Sequence, residues 1–288
     1  MDMIAPAHSS DGRRGGAPRS ALASLAFAGT LLSASAIPGF IPANASTQAG
    51  APARLKDCDD VCPTMVVAPA GAFEMGSTTR DDEKPIRRVV FMSPFAIAET
   101  EITFAQWDAC VADGGCPASR RGAAVAGDHG WGRADRPVIN VTWSEANAYA
   151  RWLSEKTGET YRLPTESEWE YAAKAGPEVQ PDPAAANYAA SDLGRTQPVG
   201  AYAPNALGLR DMMGNVWEWV EDCYVSSYEG APTDGSARTM RRCDRRVLRG
   251  GAWNAPAEHL RPAMRGRNPE GQRGEDFGFR VVREIRGR

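Results

Sequence analysis

Three stretches of the chain place apolar residues at helical spacing behind the same opening signature. Thr103-Phe104-Ala105-Gln106 introduces Trp107, Cys110 and Val111 on one face, and Gly114 follows as a stop. Thr142-Trp143-Ser144-Glu145 introduces Ala146, Tyr149, Ala150 and Leu153, with Gly158 beyond them. Thr165-Glu166-Ser167-Glu168 introduces Trp169, Ala172 and Ala173, with Gly176 beyond. A threonine hydroxyl that accepts from the third helical amide, answered by a Gln or Glu side chain, is a capping box. Glycine takes the left-handed backbone that ends a helix. The pattern predicts three short helices, with their carboxylates as caps and their aromatic residues as core. Strand-like runs are Met65 to Ala68, Arg88 to Phe91, Val216 to Val220, Arg246 to Leu248 and Phe279 to Val282. Gly- and Pro-rich connections separate them. The predicted class is α+β, with short helices, short mixed strands and much irregular chain.

The first part of the chain has a different texture. Arg13, Arg14 and Arg19 precede an uncharged, mostly apolar stretch from Ser20 to Ala36. Two small-residue cleavage patterns follow, Ala34-Ser35-Ala36 and Ala43-Asn44-Ala45. Residues 1–45 read as an export signal, 46–57 as a linker and 58–286 as one folded domain. The apolar run is short for a membrane span, and Gly15-Gly16-Ala17-Pro18 is a poor continuation of a twin-arginine signal. A periplasmic or secreted location is expected, with no membrane partner once the leader is removed.

Composition sharpens this picture in two places. Eight Trp beside 29 Gly and 21 Pro suggest aromatic packing between many turns. A net charge of -3 argues against a general nucleic-acid binder. The six cysteines are an even number in a chain read as exported, which favours disulfides. Six cysteines allow 15 pairings. Local pairing is the simplest: Cys58–Cys62, Cys110–Cys116 and Cys223–Cys243. Zinc is the weaker reading, because no Cys-x-x-Cys pair exists and histidine is scarce.

Six motifs then occur in a fixed order. They are Pro69-Ala70-Gly71-Ala72-Phe73-Glu74-Met75-Gly76-Ser77, Pro137 to Trp143, and Tyr161 to Ala172. The late ones are Gly208-Leu209-Arg210-Asp211-Met212-Met213-Gly214-Asn215-Val216-Trp217-Glu218-Trp219-Val220, then Arg246 to Asn254, then Phe277-Gly278-Phe279-Arg280-Val281. Together they resemble the formylglycine-generating enzyme family, the sulfatase-modifying factors. The resemblance implies a variant of the C-type-lectin-like fold. It also implies oxidation of a client sulfatase cysteine by a copper ion held on two thiolates. Aligned on Arg249-Gly250-Gly251, the family's two copper cysteines fall on Ala255 and Leu260, and its serine on Ala252. Soft copper prefers thiolates, so copper is not expected here.

The resemblance further implies calcium at Asp211, Gly214, Val216 and Glu218, a hard-oxygen set suited to that ion. The other reading is that Asp211 shapes a turn and Glu218 pairs with a buried arginine. A second calcium site would use Asn187, Tyr188 and Asp192. What remains near the missing thiolates is Trp253, Asn254, Glu258, His259, Arg261 and Arg265. A flat aromatic, an amide and forked guanidinium groups suit recognition. Arginines far outnumber acids from Arg238 onward, which suits an anionic small ligand, or a protein or peptide client. The same arginines also serve as framework residues in such a fold. A monomer is expected. Three functions stay open: a ligand-binding or accessory member, a copper-independent periplasmic enzyme like those that assist siderophore maturation, and an atypical formylglycine-generating oxidase.

Overall fold

The computed structural model describes residues 52–118, 126–177 and 180–285. The proposed leader, and residues 46–51 of the proposed linker, lie outside them. In chain order the strands are β1 (Arg54–Leu55), β2 (Met65–Ala68), β3 (Gly71–Met75), β4 (Arg87–Phe91) and β5 (Phe95–Ala98). They continue with β6 (Tyr161–Arg162), β7 (Trp217–Cys223), β8 (Arg246–Arg249), β9 (Gly266–Asn268), β10 (Phe277–Gly278) and β11 (Val282–Glu284). Three helices are present: α1 (Phe104–Ala112), α2 (Trp143–Thr157) and α3 (Glu166–Ala173). The architecture is mixed α+β. A five-stranded sheet runs β1-β2-β5-β11-β6, a four-stranded sheet β10-β7-β8-β9, and β3 and β4 form a separate hairpin. Sheet formation begins at Arg54, inside the stretch read as linker, because Arg54 and Leu55 pair with Val66 and Met65.

All three capping boxes form. Gln106, Glu145 and Glu168 receive the amides of Thr103, Thr142 and Thr165, and each threonine hydroxyl returns the bond. Gly158 ends α2 in the left-handed region at φ 76°. The anticipated inward residues are largely in the core. Trp107, Tyr149, Leu153 and Trp169 are buried, whereas Val111 and Ala173 are half-buried. Helix α3 goes further: Glu166, Ser167, Glu168 and Glu170 are buried as well. A helix buried on its polar side must find partners for each carboxylate, and those partners set the frame described below.

One strand expectation needs correction. Phe279 to Val282 is not a single strand: β10 ends at Gly278, β11 begins at Val282, and residues 279–281 between them belong to neither. The intervening backbone bonds outside any ladder, with the Phe279 carbonyl accepting from Ile102 and the Val281 carbonyl accepting from Ala98. Arg280 turns inward between the two sheets, fully buried. The pairs Cys58–Cys62, Cys110–Cys116 and Cys223–Cys243 form as disulfides, and no free cysteine remains.

Candidate functional site

Two buried ion-pair systems hold the late motifs in place. On β7, the Glu218 carboxylate receives Arg280 through both oxygens, Nε to Oε2 and Nη2 to Oε1, each at 2.7 Å. The Trp169 indole N–H also donates to Oε2 at 2.7 Å. Arg280 donates onward to the carbonyls of Ala98 and Arg210. The second system belongs to α3. Arg265 grips Glu166 with Nε at 2.7 Å and Nη2 at 3.0 Å, and donates to the carbonyls of Asp82 and Val225. Arg249, across the ladder from Glu218, binds Glu170 and the carbonyls of Ala263 and Met264. Burial alone would raise the Glu166 carboxyl. The guanidinium groups of Arg265 and Arg249 reverse that and hold it below the usual range. Two acids of one short helix, Glu166 and Glu170, thus become the anchors for the returning C-terminal segments.

This arrangement separates the six residues expected to line one pocket. Arg265 faces inward and is 2% exposed, so it is framework. Arg261 is half-buried and makes a bidentate pair with the fully buried Glu83. Glu258 and Asn254 are exposed. His259 lies 5.8 Å from the Trp217 ring, and burial holds its imidazole below the ordinary pKa. Trp253 packs edge-on against Trp131 at 5.3 Å, and Trp131 in turn lies 5.3 Å from His129. Asn254 donates to Asp276 at 3.3 Å, and Glu275 approaches His129 at 3.6 Å. The sequence reading missed Trp131, Glu275 and Asp276. Nothing in their local pattern distinguishes them, because three separate loops bring them together.

The positions of the missing thiolates are filled. Ala255 and Leu260 are buried and pack with Ala186 and Tyr188 into a small apolar cluster, against which Met213 lies. Ala252, at the serine position, is fully buried. With every cysteine paired and apolar carbon at both ligand positions, these residues do not fit a two-thiolate copper ion. Two glycines make the close approach possible. Gly214 has φ 84°, and a Cβ there would sit 2.2 Å from the Asn187 carbonyl oxygen. Gly251 has φ 77°, with the Leu260 side chain 3.2 Å from where its Cβ would be.

Ala186, Met213 and Leu260 also form one wall of a cavity of about 680 Å³. Half of its lining is Ala, Pro and Met, and Ser77, Thr79, Lys174, Gln180, Asp182, Asn205, Asp211 and Arg261 are polar members. The volume suits a small-molecule site. Lys174 is tied to Glu170 at 2.7 Å and Arg261 to Glu83. The two cations are therefore neutralised from within, whereas Asp182 and Asp211 carry no ion pair among the described residues.

At the positions expected to hold calcium, the structure shows the pairing of Glu218 with a buried arginine. Its pairing with Arg280 is formed, yet Oε1 takes only that one bond. Asp211 accepts the Gly200 amide. Close by, Glu101 is fully buried; Oε1 accepts from Asn215, and Oε2 has no partner. Burial and then the Asp211 charge push the Glu101 carboxyl well above its usual value. Glu101, Asp211 and Glu218 thus share one guanidinium, Arg280, and burial also raises the Asp211 carboxyl. At the second position, the Asn187 side-chain oxygen is buried without a partner, while Tyr188 is core and Asp192 is exposed. Among the described residues, no three His, Cys, Asp or Glu side chains converge as a ligand group. Backbone carbonyls would have to complete either cage.

Comparison with known proteins agrees with this geometry. Residues 52–285 match the sulfatase-modifying factor enzyme 1-like domain. Among solved structures, PvdO from Pseudomonas aeruginosa superposes with a TM-score of 0.74 at 38% identity, over 81% of this chain and 99% of that one. The formylglycine-generating enzyme of Streptomyces coelicolor is 29% identical, covering 76% of this chain and 89% of its own length. The serine/threonine-protein kinase pkn1 of Chlamydia pneumoniae is 32% identical over 249 residues. That match takes in 77% of this chain but only 38% of the kinase-named protein, so the chain spans well under half of such relatives. The domain match, the order of the motifs and the buried frame around Glu218 and Arg249 agree: the chain belongs to the sulfatase-modifying factor (formylglycine-generating enzyme-like) family.

Proposed function

We propose that this chain is a ligand-binding or accessory member of the family, working in the periplasm or outside the cell, without copper chemistry. The observation that carries the reading is the apolar cluster at Ala255 and Leu260, which forms a wall of the 680 Å³ cavity. A position that holds a soft metal in an oxidase here offers hydrocarbon to a ligand. The client or small ligand docks its apolar part against Leu260 and Met213, and Trp253 and His259 extend the surface on the neighbouring loop. Indole serves as a first probe. It should bind saturably, and Leu260→Trp, which fills the cavity, should abolish that binding; unchanged binding refutes the assignment. Incubation with a cysteine-containing sulfatase peptide and copper, read by mass spectrometry, tests the oxidase reading directly. Loss of the peptide thiol there would restore the formylglycine-generating activity.

A second reading, a copper-independent enzyme of the siderophore-maturation type, draws on Asp211. This carboxyl lines the cavity, and burial raises its pKa. A deletion strain that accumulates a siderophore precursor, complemented by wild type but not by Leu260→Trp, would favour it. We also propose calcium as a structural ion held by Asp211, Glu218 and the Gly214 and Val216 carbonyls. Its role is to neutralise the buried acids. The support is the cluster of buried acids that share one guanidinium, with Glu101 Oε2 left without a partner.

A further inference from the structure

The fully buried arginines of the frame each have a carboxylate: Arg249 has Glu170, Arg265 has Glu166 and Arg280 has Glu218. Arg87, half-buried on β4, has none within ion-pair distance among the described residues. One of its N–H groups donates to the Pro232 carbonyl, and another meets the Met75 sulfur at 3.2 Å. Nε is buried with no partner. A guanidinium carries five N–H donors, so most of them are uncommitted. The group sits 5.2 Å from the Tyr228 ring centroid. Burial lowers its pKa, an effect that the more distant charges of Glu166, Asp222 and Glu170 offset only in part.

Arg87 lines a second cavity, of about 610 Å³, between the segment around Asp81 to Arg87 and the loop from Ser227 to Thr233. It shares no lining residue with the Leu260 cavity. Lys84 supplies a second cation. Its ion partner Asp81 has a fully exposed side chain, so that tie is screened and weak. Pro85, Ala231 and the Tyr228 ring supply apolar surface, and Thr233 places an exposed hydroxyl at the rim. Asp81 and Glu229 at the edge limit the affinity of any anion without filling the site.

We propose that this cavity binds an amphipathic anion: a carboxylate carried on an aromatic or comparable apolar body. A planar carboxylate matches the guanidinium fork, which a hydroxyl or a bare hydrocarbon does not. Arg87 and Lys84 take the carboxylate, and Pro85, Ala231 and Tyr228 cover the body. The inference stands independently of the ligand at Leu260, because the two cavities have separate linings.

The test titrates the full chain with benzoate, benzyl alcohol and inorganic phosphate, followed by ligand-detected NMR. Benzoate should bind saturably and about tenfold more tightly than either of the others, as one charge-assisted hydrogen bond implies. Arg87→Gln should reduce benzoate to the level of benzyl alcohol. Lys84→Gln changes an exposed side chain and leaves the core intact, so it guards against loss of fold; it should weaken benzoate severalfold. Melting curves of both variants verify folding. Equal binding of benzoate and benzyl alcohol would reduce the site to an apolar dent. Phosphate binding as well as benzoate would make it a bare charge site. Either result, or no binding of benzoate, or benzoate binding untouched by both substitutions, overturns the proposal.

Discussion

Arg265→Ala removes the guanidinium that ties the C-terminal segment to helix α3, and its effect can be worked from the contacts it breaks. The sequence suggests a ligand-gripping arginine; the structure buries it against Glu166. Truncation strands a buried carboxylate and the carbonyls of Asp82 and Val225. Breaking a buried pair by removing one partner costs about 3–5 kcal/mol. Arg249 lies 3.4 Å from Glu166 and keeps part of the compensation, so the lower end, about 3 kcal/mol, is expected. For a domain of this size that corresponds to a melting temperature lower by about 6–12 °C. With a urea slope of about 3 kcal/mol/M, the midpoint moves by about 1 M. The double variant Glu166→Gln with Arg265→Met should recover part of the loss, because it also removes the carboxylate charge that Arg265→Ala leaves stranded. Probe binding at the Leu260 cavity, measured well below the melting point, should be unchanged. If Arg265→Ala left the urea midpoint in place while weakening the probe tenfold, the guanidinium would face ligand and the framework assignment would be wrong.

Three further outcomes follow from the same frame. A chelator should lower the melting temperature of the wild type. Glu218→Ala should remove that sensitivity while itself destabilising the chain by stranding Arg280; an unchanged melt in chelator refutes calcium. Copper(I) titration should find no tight site in the wild type, whose cysteines are all paired. Ala255→Cys with Leu260→Cys should create a tight site, since both positions share one cluster; tight wild-type binding would contradict the reading. The third outcome concerns pH. Burial pushes the Asp222 carboxyl up to about 7, with the Glu166 charge adding to it. Between pH 4 and 7 the folded state then holds a proton that the unfolded chain releases. Stability contributed at this site therefore falls as pH rises through that window, by up to about 4 kcal/mol. Glu166 has a lowered pKa, so its contribution is lost only on acidification below its usual range. The wild-type stability profile minus that of Asp222→Asn should show a fall between pH 4 and 7; a flat difference would place the carboxylate in its charged form throughout.

The helices were readable because a capping box is local: a hydroxyl, an amide and a carboxyl within four residues satisfy one another wherever the segment lies. Strand ends were less readable because long-range partners decide them. β5, Phe95–Ala98, is buried at every position and shows no alternation to read. Phe279 to Val281 reads as strand by composition, yet Arg280 must leave any ladder to reach Glu218. The fates of the arginines were the least readable feature. Arg249, Arg261 and Arg265 belong to one dense basic segment, and only the fold reveals that acids far upstream, Glu83 in the short 3-10 turn Asp81–Glu83 and Glu166 and Glu170 in α3, await them. For the same reason Trp131 was missed beside Trp253. A contact between loops leaves no periodic trace in either of them.

The distribution of charge separates the positions that hold the family scaffold from those that line the Leu260 cavity. The partners that fix β7, β8 and α3 are Glu218 with Arg280, Glu166 with Arg265, and Glu170 with Arg249. None of them uses the thiolate positions. Replacing any one of these six leaves an uncompensated buried charge, a change of several kcal/mol against a total stability of about 5–15. Ala255 and Leu260 present only hydrocarbon, which the neighbouring Ala186, Tyr188 and Met213 pack against. The two kinds of position therefore face opposite energetic tests. The frame is held by what it costs to remove a charge, whereas the Leu260 wall is held by packing alone. On the ligand-binding proposal, the walls of the Leu260 cavity, rather than its frame, would set the choice of ligand. Substitutions at Met213 and Leu260 should alter probe selectivity at nearly constant stability, and a large loss of stability from Leu260→Met would break this argument.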